Sequence, residues 1–347
     1  MASRILGLDA LRFLCALCVV QGHLRLGGYL ILDKLDEPHD LVHAIRVAFN
    51  QGFPIPTGPN AVIVFFVISG FCIHFPYRNE KKMNFQQFIV RRYIRVGIPA
   101  LFAAVLLYRT GFIVLQDSVL WSIICEIIYY SIYPVLMMLK HRFGWGLVLA
   151  GSFAAAYTVI VLHSGGPYNG NFTSFGTTFT WILGLPCWLL GCLLAETYSK
   201  FRSHGRVVQW SFRLGIVSAA AVVTTLRFYA EVGYYWTQPL LAILIFFWLG
   251  SEIAYFSKRR PWMWLEQAGS WSYSVYLFHA PVSIYIGHVV GLQFGMSVKL
   301  LLELGAVLVG CYLLYRIVER PAHLLARHYV APNRQVRLVP EVTVGSH

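Results

Sequence analysis

The sequence predicts an all-α membrane protein, a polytopic bundle of about ten transmembrane helices with both termini in the cytoplasm. Only 12% of the 347 residues are charged and 57% are hydrophobic, whereas a soluble protein carries about twice that charged fraction. The apolar runs are continuous rather than alternating, which favours helices over the strands of a membrane barrel. Because backbone groups inside a bilayer must be paired internally, these two architectures are the only choices.

The predicted spans follow one another along nearly the whole chain. The first contains Asp9 and Arg12, and no small-residue cleavage site follows it, so we interpret it as a retained helix rather than a signal peptide. The spans cover residues 6–26, 60–77, 94–114, 119–139, 146–163, 179–198, 212–230, 237–256, 272–291 and 298–317.

Basic residues in the loops set the predicted orientation. With the N-terminus inside, loops 77–93, 140–145, 200–213 and 257–271 face the cytoplasm and carry most of the loop Lys and Arg residues. The outer stretch 163–178 has none. This positive-inside pattern explains the net charge of +13 without nucleic acid as a partner, while leaving some of these residues free to contact a polyanionic ligand.

The chain is predicted to form one transmembrane domain, residues 1–325, followed by a basic and disordered cytoplasmic tail, residues 326–347. The loop 25–59 is rich in Gly, Pro and His and is expected to cap a site from the outer side. All seven cysteines lie in apolar segments, and an odd number buried in helices argues against a disulfide framework.

Two ionisable side chains mark the first span. Arg12 and His23 are separated by about 16 Å of helical rise and close to three turns, so both project from the same face. Ionisable groups inside a bilayer are costly and usually line a pathway or a site. The alternative is that Arg12 extends to the inner interface and pairs with Asp9, while His23 lies near the outer interface.

The second span, which contains NAVIVFFVISGF, is interrupted by small residues. Ser69 and Gly70 stand near its middle among bulky aromatic and branched side chains. Small residues in membrane helices usually indicate close helix packing. The alternative is that Ser69 donates a hydrogen bond inside a substrate channel.

Three arginines cluster where the third span begins, in FIVRRYIRVGIP. Arg91, Arg92 and Arg95 lie three to four residues apart, so Arg95 shares a helix face with each of the other two. Positive-inside anchoring accounts for one or two of them. Three together also make a good phosphate clamp, because guanidinium groups bind phosphate oxygens bidentately.

A carboxylate lies inside the fourth span, in WSIICEIIYYSIYP. Counting about 1.5 Å per residue from the outer edges puts Glu126 and His23 at comparable depth. At that depth Glu126 can orient the imidazole or stabilise its charge, with Ser122 one turn earlier on the same side. The alternative is an ion pair between Glu126 and an intramembrane arginine. For His279, in the ninth span, packing and a site role both stay open.

With these segments the chain resembles the acyltransferase 3 family, integral-membrane enzymes that move short acyl groups from acyl-coenzyme A to hydroxyls of sugars. The family's Arg, ten residues, then His is matched by Arg12 and His23. FFVISGF, RRYIRVGIP and WSIICE, which begins at Trp121, resemble further family segments, and SYSVYLFHAP resembles a late one that contains His279. The resemblance covers residues 8–321.

The resemblance implies a membrane O-acyltransferase of a bacterial inner membrane that acts on a sugar or polysaccharide precursor. Acetyl-coenzyme A or another short acyl-coenzyme A is the expected co-substrate, with its phosphates on the three arginines and Arg12 along the pantetheine path. His23 is the expected general base on the acceptor hydroxyl, oriented by Glu126, and no metal is required. Substrate contacts are expected from Ser69, Trp121, Ser122 and His279, with Ser69 as an oxyanion donor.

A second function class remains open from the sequence. A proton-coupled transporter or flippase for an acidic or glycosylated solute would use Arg12, His23 and Glu126 as its binding site. The chain lacks the matching pair of interrupted helices that inverted repeats produce.

Overall fold

The computed structural model describes residues 5–24, 57–78, 83–110, 119–163, 170–289 and 296–328, which form an all-helical bundle. In chain order the helices are α1 (Leu8–Leu24), α2 (Gly58–His74), α3 (Phe85–Arg92), α4 (Ile98–Arg109), α5 (Leu120–His163), α6 (Gly176–Thr197), α7 (Arg206–Tyr229), α8 (Tyr234–Phe256), α9 (Met263–Ala268), α10 (Ser272–Val289), α11 (Met296–Leu314) and α12 (Arg320–His328). Two π-helical segments, Tyr93–Gly97 and Tyr315–Glu319, lead into α4 and α12. The all-α prediction is confirmed.

Within the described chain, five helical stretches are long and apolar enough to cross a membrane. They are Gly58–Tyr77, Leu120–His163, Phe172–Lys200, Arg206–Arg227 and Tyr234–Phe256. Helices α1, α4, α10 and α11 coincide with the other four predicted spans, and α1 and α4 have only 17 and 12 residues. Ten crossings and two cytoplasmic termini therefore stay predictions.

Helix α5 is bent at Gly144, which separates the predicted spans 119–139 and 146–163. The backbone angles of Gly144, φ +74° and ψ 161°, are not helical, so the stretch Leu120–His163 consists of two helices that meet there. Only glycine adopts that backbone conformation without a steric penalty. The two parts of α5 therefore correspond to two separate predicted spans joined at a kink.

The helical stretch that contains the third predicted span, 94–114, starts before the span does. The helix begins at Phe85 because the Asn84 side chain accepts a hydrogen bond from the Gln87 N–H at 3.2 Å, which caps the first turn. It then continues through the π-helical segment into α4. At the other end Thr110 donates to the Leu107 carbonyl at 2.7 Å, and residues 111–114 lie outside the described chain.

The predicted boundary between domain and tail, at residue 325, falls inside helix α12. The first three residues of the predicted tail, 326–328, are helical. The rest of that tail lies outside the described residues, as does nearly all of the loop 25–59 that is expected to cap a site.

Small residues bring α2 and α6 into close contact. A Cβ added to Gly70 would collide with the carbonyl oxygen of Trp188, and one added to Gly191 would collide with that of Val67. Two backbones at this separation leave no room for side chains between them. The packing interpretation of the break in NAVIVFFVISGF therefore holds for Gly70.

Helix α1 is tied at its beginning to the short helix α9. Glu266, which is buried, accepts hydrogen bonds from the backbone N–H groups of Gly7 at 3.1 Å and Ala10 at 3.2 Å. These N–H groups have no partner within their own helix, and a carboxylate also complements the positive end of the helix dipole. A residue more than 250 positions away in sequence thus caps α1.

Candidate active site

A cavity of about 560 Å³ lies among α1, α2, α5, α10 and the two π-helical segments. This volume is within the range of small-molecule sites in proteins. Six of the residues predicted from the sequence line it: Arg12, Ser69, Arg92, Arg95, Ser122 and Glu126.

One end of the cavity is basic and is lined by Arg92, Arg95 and Arg327. The Nε of Arg92 is buried and has no hydrogen-bond partner among the described residues. Burial, aided by the charge of Arg91, lowers the pKa of Arg92. An unpartnered guanidinium nitrogen is costly unless a ligand satisfies it, and phosphate oxygens are well suited to do so.

The two π-helical segments bring the ends of α3 and α11 together at this basic end. Arg95, from the first, donates from Nε to His323 Nε2 at 3.1 Å. Glu319, from the second, accepts a short hydrogen bond from Ser274. π-helical turns frequently occur at functional sites because the extra residue per turn redirects side chains.

Burial shifts the pKa of two groups at this end, Glu319 and His323, toward the uncharged form. Burial raises the pKa of Glu319 to about 7, although the Ser274 hydrogen bond and the charge of Arg95 act in the opposite direction. Burial and the charges of Arg95, Arg327 and Arg91 lower the pKa of His323 to about 3. His323 is therefore neutral, as its acceptance of the Arg95 hydrogen bond requires.

In the middle of the cavity Arg12 forms the predicted pair with Asp9. One guanidinium nitrogen lies 3.2 Å from Asp9 Oδ1 and the other lies 3.2 Å from Cys72 Sγ. The Glu126 carboxylate interacts with the hydroxyls of Ser69 and Tyr130 and with the charge of Arg12. Glu126 thus shares the lining of this cavity with Arg12, whereas His23 is not part of that lining.

The predicted pairing of Glu126 with His23 finds no support among the contacts of the described residues. Arg12, which interacts with Glu126, is about 16 Å from His23 along α1. The depth count assumed that both helices start at the same level. Tertiary packing decides the actual level of each helix. For α5, Ser122 at its start meets Tyr276, five residues into α10, with hydroxyl oxygens 2.6 Å apart.

Ser69 lies in the wall of the cavity, and its hydroxyl has two hydrogen-bond partners. It accepts a hydrogen bond from Trp188 Nε1 at 3.2 Å, and its oxygen is 3.4 Å from the Tyr130 hydroxyl. Both interpretations of the VISGF segment are therefore compatible, since Gly70 packs against α6 while Ser69 lines the cavity.

Beyond the far end of the cavity two imidazoles meet. The rings of His23 and His279 contact edge to face, with centroids 4.9 Å apart. His279 is completely buried, whereas His23 is exposed. Tyr276 links this pair to the cavity, because it lines the cavity and its carbonyl oxygen is 2.8 Å from His279 Nδ1.

The hydrogen bonds of the two rings fix their tautomers. His23 Nδ1 lies 2.9 Å from the Val19 carbonyl, and His279 Nδ1 bonds the carbonyls of Val275 and Tyr276. Carbonyl oxygens only accept, so each Nδ1 carries a proton, and Nε2 is the nitrogen of each ring that can act as a base. The Nε2 of His279 is buried and has no partner among the described residues.

Not every predicted residue joins the cavity. Arg91 is exposed and outside its lining, and Trp121 instead packs its ring against Phe66 and Phe172. His23 and His279 form their separate pair.

Several lining residues were not among the predicted site residues: Tyr130, Tyr273, Glu319, His323 and Arg327. For the last three a signal is present in the sequence, because they recur every four residues and so share one helix face. Tyr273 belongs to SYSVYLFHAP, which resembles a family segment, whereas Tyr130 is one of 20 tyrosines and nothing in its spacing separates it from packing residues.

The model of the acyltransferase domain family Acyl_transf_3 matches residues 5–316, nearly the whole chain and all of the cavity-lining residues except three. Comparisons with curated proteins and with solved structures gave no match. The chain belongs to the acyltransferase 3 family and is a membrane acyltransferase.

Proposed function

We propose that the protein transfers a short acyl group, acetyl in the simplest case, from acyl-coenzyme A to a hydroxyl of a sugar or polysaccharide precursor in a bacterial inner membrane. The proposal rests on the two ends of the cavity. The basic end contains an arginine nitrogen that has no hydrogen-bond partner among the described residues, and the other end approaches a pair of imidazoles. Family membership favours this reaction over solute transport.

The donor occupies the cavity with its phosphates at the basic end. Arg92 and Arg95 bind the phosphate oxygens, and the Nε of Arg92 gains an acceptor that no described residue provides. The thin pantetheine arm passes Arg12 and the Glu126 carboxylate toward Ser122 and the far end. Under the predicted topology this basic end faces the cytoplasm, where acyl-coenzyme A is made.

His23 acts as the general base of the transfer. Its Nε2 removes the proton of the acceptor hydroxyl, whose oxygen then forms a bond with the thioester carbon. The carbon–sulfur bond breaks, and the departing thiolate receives the proton from the imidazolium. His279 takes the orienting role that the sequence suggests for Glu126, because its ring lies directly against His23 and its Nε2 lone pair favours a protonated neighbour.

Distance along α10 decides whether the thioester can reach the base. Tyr276 lines the cavity, and His279 follows it by three residues, or about 4.5 Å of helical rise. A thioester at the level of Tyr276 therefore needs to advance by less than one turn.

The test uses purified full-length protein in detergent with labelled acetyl-coenzyme A and a panel of sugar acceptors. Release of the coenzyme thiol together with label on the sugar, lost in His23→Ala but retained in His141→Ala, supports the proposal. His141 is the matched control because it is exposed and outside the cavity. Solute uptake into vesicles without thioester turnover would overturn it.

A further inference from the structure

A second cavity, of about 630 Å³, lies on the opposite face of α1, between α1, α2, α7 and α8. On α1 the residues Leu11, Leu14, Cys15 and Cys18 face it, whereas Arg12 faces the first cavity. Spacings of three and four residues put these four on one helix face. The two cavities are therefore separated by the helix that carries Arg12 and His23.

The inner walls of the second cavity are apolar. Aliphatic side chains from α2, α7 and α8 complete the wall begun by α1, among them Val64, Ile216, Val217, Leu241 and Ile245. The polar Asn60 also lines it, but its amide is fully engaged. It donates to the Ala220 carbonyl at 3.0 Å and to Thr224 at 3.1 Å, and it accepts from Gln238 at 3.1 Å. Such walls suit a hydrocarbon chain better than water or a polar ligand.

The rim of the same cavity is strongly basic. Four arginines line it, Arg206, Arg213, Arg259 and Arg260, against one carboxylate, Glu252, which leaves a net charge of +3 (four minus one). Glu252 neutralises Arg213 alone, through bonds of 2.7 and 2.9 Å. The other three arginines are exposed.

Tryptophan side chains surround this basic rim. Trp210 and Trp262 are 52% and 70% exposed and both line the cavity. Exposed tryptophans are typical of the level at which lipid headgroups meet the hydrocarbon region. The rim thus lies where a lipid phosphate is found.

We propose that the second cavity is a binding site for an anionic phospholipid, with one hydrocarbon chain between α1, α7 and α8 and the phosphate on Arg206, Arg259 and Arg260. Charge complementarity selects an anionic headgroup over a zwitterionic one, and the apolar depth selects a lipid over a free phosphate. The site is independent of the acyl transfer proposed above, since it shares no lining residue with the first cavity in the described chain.

Native mass spectrometry of the full-length protein in detergent tests the headgroup preference. Phosphatidylglycerol is expected to bind at least tenfold more tightly than phosphatidylcholine with the same chains. The double variant Arg259→Gln/Arg260→Gln is expected to lower phosphatidylglycerol affinity about thirtyfold, since each cation near the surface contributes about fivefold. Arg142→Gln is the matched control, an exposed arginine outside the cavity that leaves the affinity unchanged.

A second pair of variants tests the hydrocarbon chain. Leu14 is 43% exposed and lines the cavity, so Leu14→Trp is expected to narrow it and to lower the affinity for both lipids. Leu214, 64% exposed on α7 and outside the cavity, supplies the control Leu214→Trp with no effect. Thermal unfolding of each variant confirms that it is folded.

Three results would overturn the proposal. The first is equal binding of the two lipids to the wild type, and the second is unchanged affinity in the arginine double variant. The third is complete displacement of phosphatidylglycerol by millimolar inorganic phosphate together with unchanged binding in Leu14→Trp, which identifies a simple anion site.

Discussion

The imidazole of His279 lies against that of His23, with ring centroids 4.9 Å apart and the planes inclined at 60°. One ring comes from the first helix of the chain and the other from α10, more than 250 residues later. The buried Nε2 of His279 has no hydrogen-bond partner among the described residues. This contact underlies the first prediction.

Replacing either histidine is expected to slow turnover without weakening donor binding. His23→Ala removes the proposed base and should lower kcat about 1000-fold, while His279→Phe keeps a buried ring, loses Nε2 and should lower kcat about tenfold to hundredfold. Neither residue lines the donor cavity, so the KM for acyl-coenzyme A should be unchanged. Steady-state kinetics with pH profiles measure both effects, and a raised KM with normal kcat would contradict the assignment.

The arginines of the first cavity are expected to act on donor binding. Arg92→Gln and Arg95→Gln each remove a charged phosphate contact and should raise the KM for acyl-coenzyme A about tenfold or more, with a smaller effect on kcat. Arg91→Gln is the matched control, because Arg91 adjoins Arg92 in sequence but is exposed outside the cavity. Equal effects at all three positions would indicate a general surface charge effect instead.

Glu319 is expected to make stability depend on pH. Burial raises its pKa to about 7 from an ordinary value of 4.5, so the folded protein holds this proton more tightly than the unfolded chain. Its contribution to stability is therefore greatest below pH 4.5 and falls as the pH rises through about 7. Between those limits the wild-type Tm should drop by on the order of 5 °C more than that of Glu319→Gln. Parallel Tm curves for the two proteins would rule out this titration.

Loss of the cap on α1 is expected to destabilise the protein. Glu266→Ala leaves the N–H groups of Gly7 and Ala10 without the acceptor that they now share, at a cost of about 1–2 kcal/mol. Glu266→Gln keeps one acceptor oxygen and should lose less. Thermal unfolding in detergent ranks the three proteins, and equal Tm values for wild type and Glu266→Ala would show that the cap contributes nothing.

The close approach of α2 and α6 is expected to exclude even one methyl group. In Gly70→Ala the new Cβ meets the Trp188 carbonyl oxygen, which must shift at a cost on the order of 2–3 kcal/mol. Gly151→Ala is the control, a helical glycine in α5 with open space around it, where alanine is expected to be neutral or stabilising by up to about 1 kcal/mol. The prediction fails if both variants unfold at the same temperature as the wild type.

Local sequence is sufficient for most of the fold. Continuous apolar runs and charged loops predict the helices, and six side chains that the motifs single out line one cavity: Arg12, Ser69, Arg92, Arg95, Ser122 and Glu126. These features can be recognised in the sequence because hydrophobicity, small-residue breaks and buried charges are properties of individual segments. Hydropathy does not predict that α3 begins at Phe85, because the first turn is polar. The Asn84 side chain starts the helix there by capping it.

Which of these side chains contact one another depends on helix register. Register is the relative position of two packed helices, so it cannot be read from one segment alone. The sequence by itself determined the helical membrane class, the family motifs and six of the polar residues around the cavity. Only the tertiary structure decided that Glu126 lines the same cavity as Arg12 and that the His279 ring contacts the His23 ring. It also decided that Arg91 lies outside the cavity lining. The physical reason is that side-chain interlocking between helices, such as Ser122 on Tyr276, sets how far each helix slides past its neighbours.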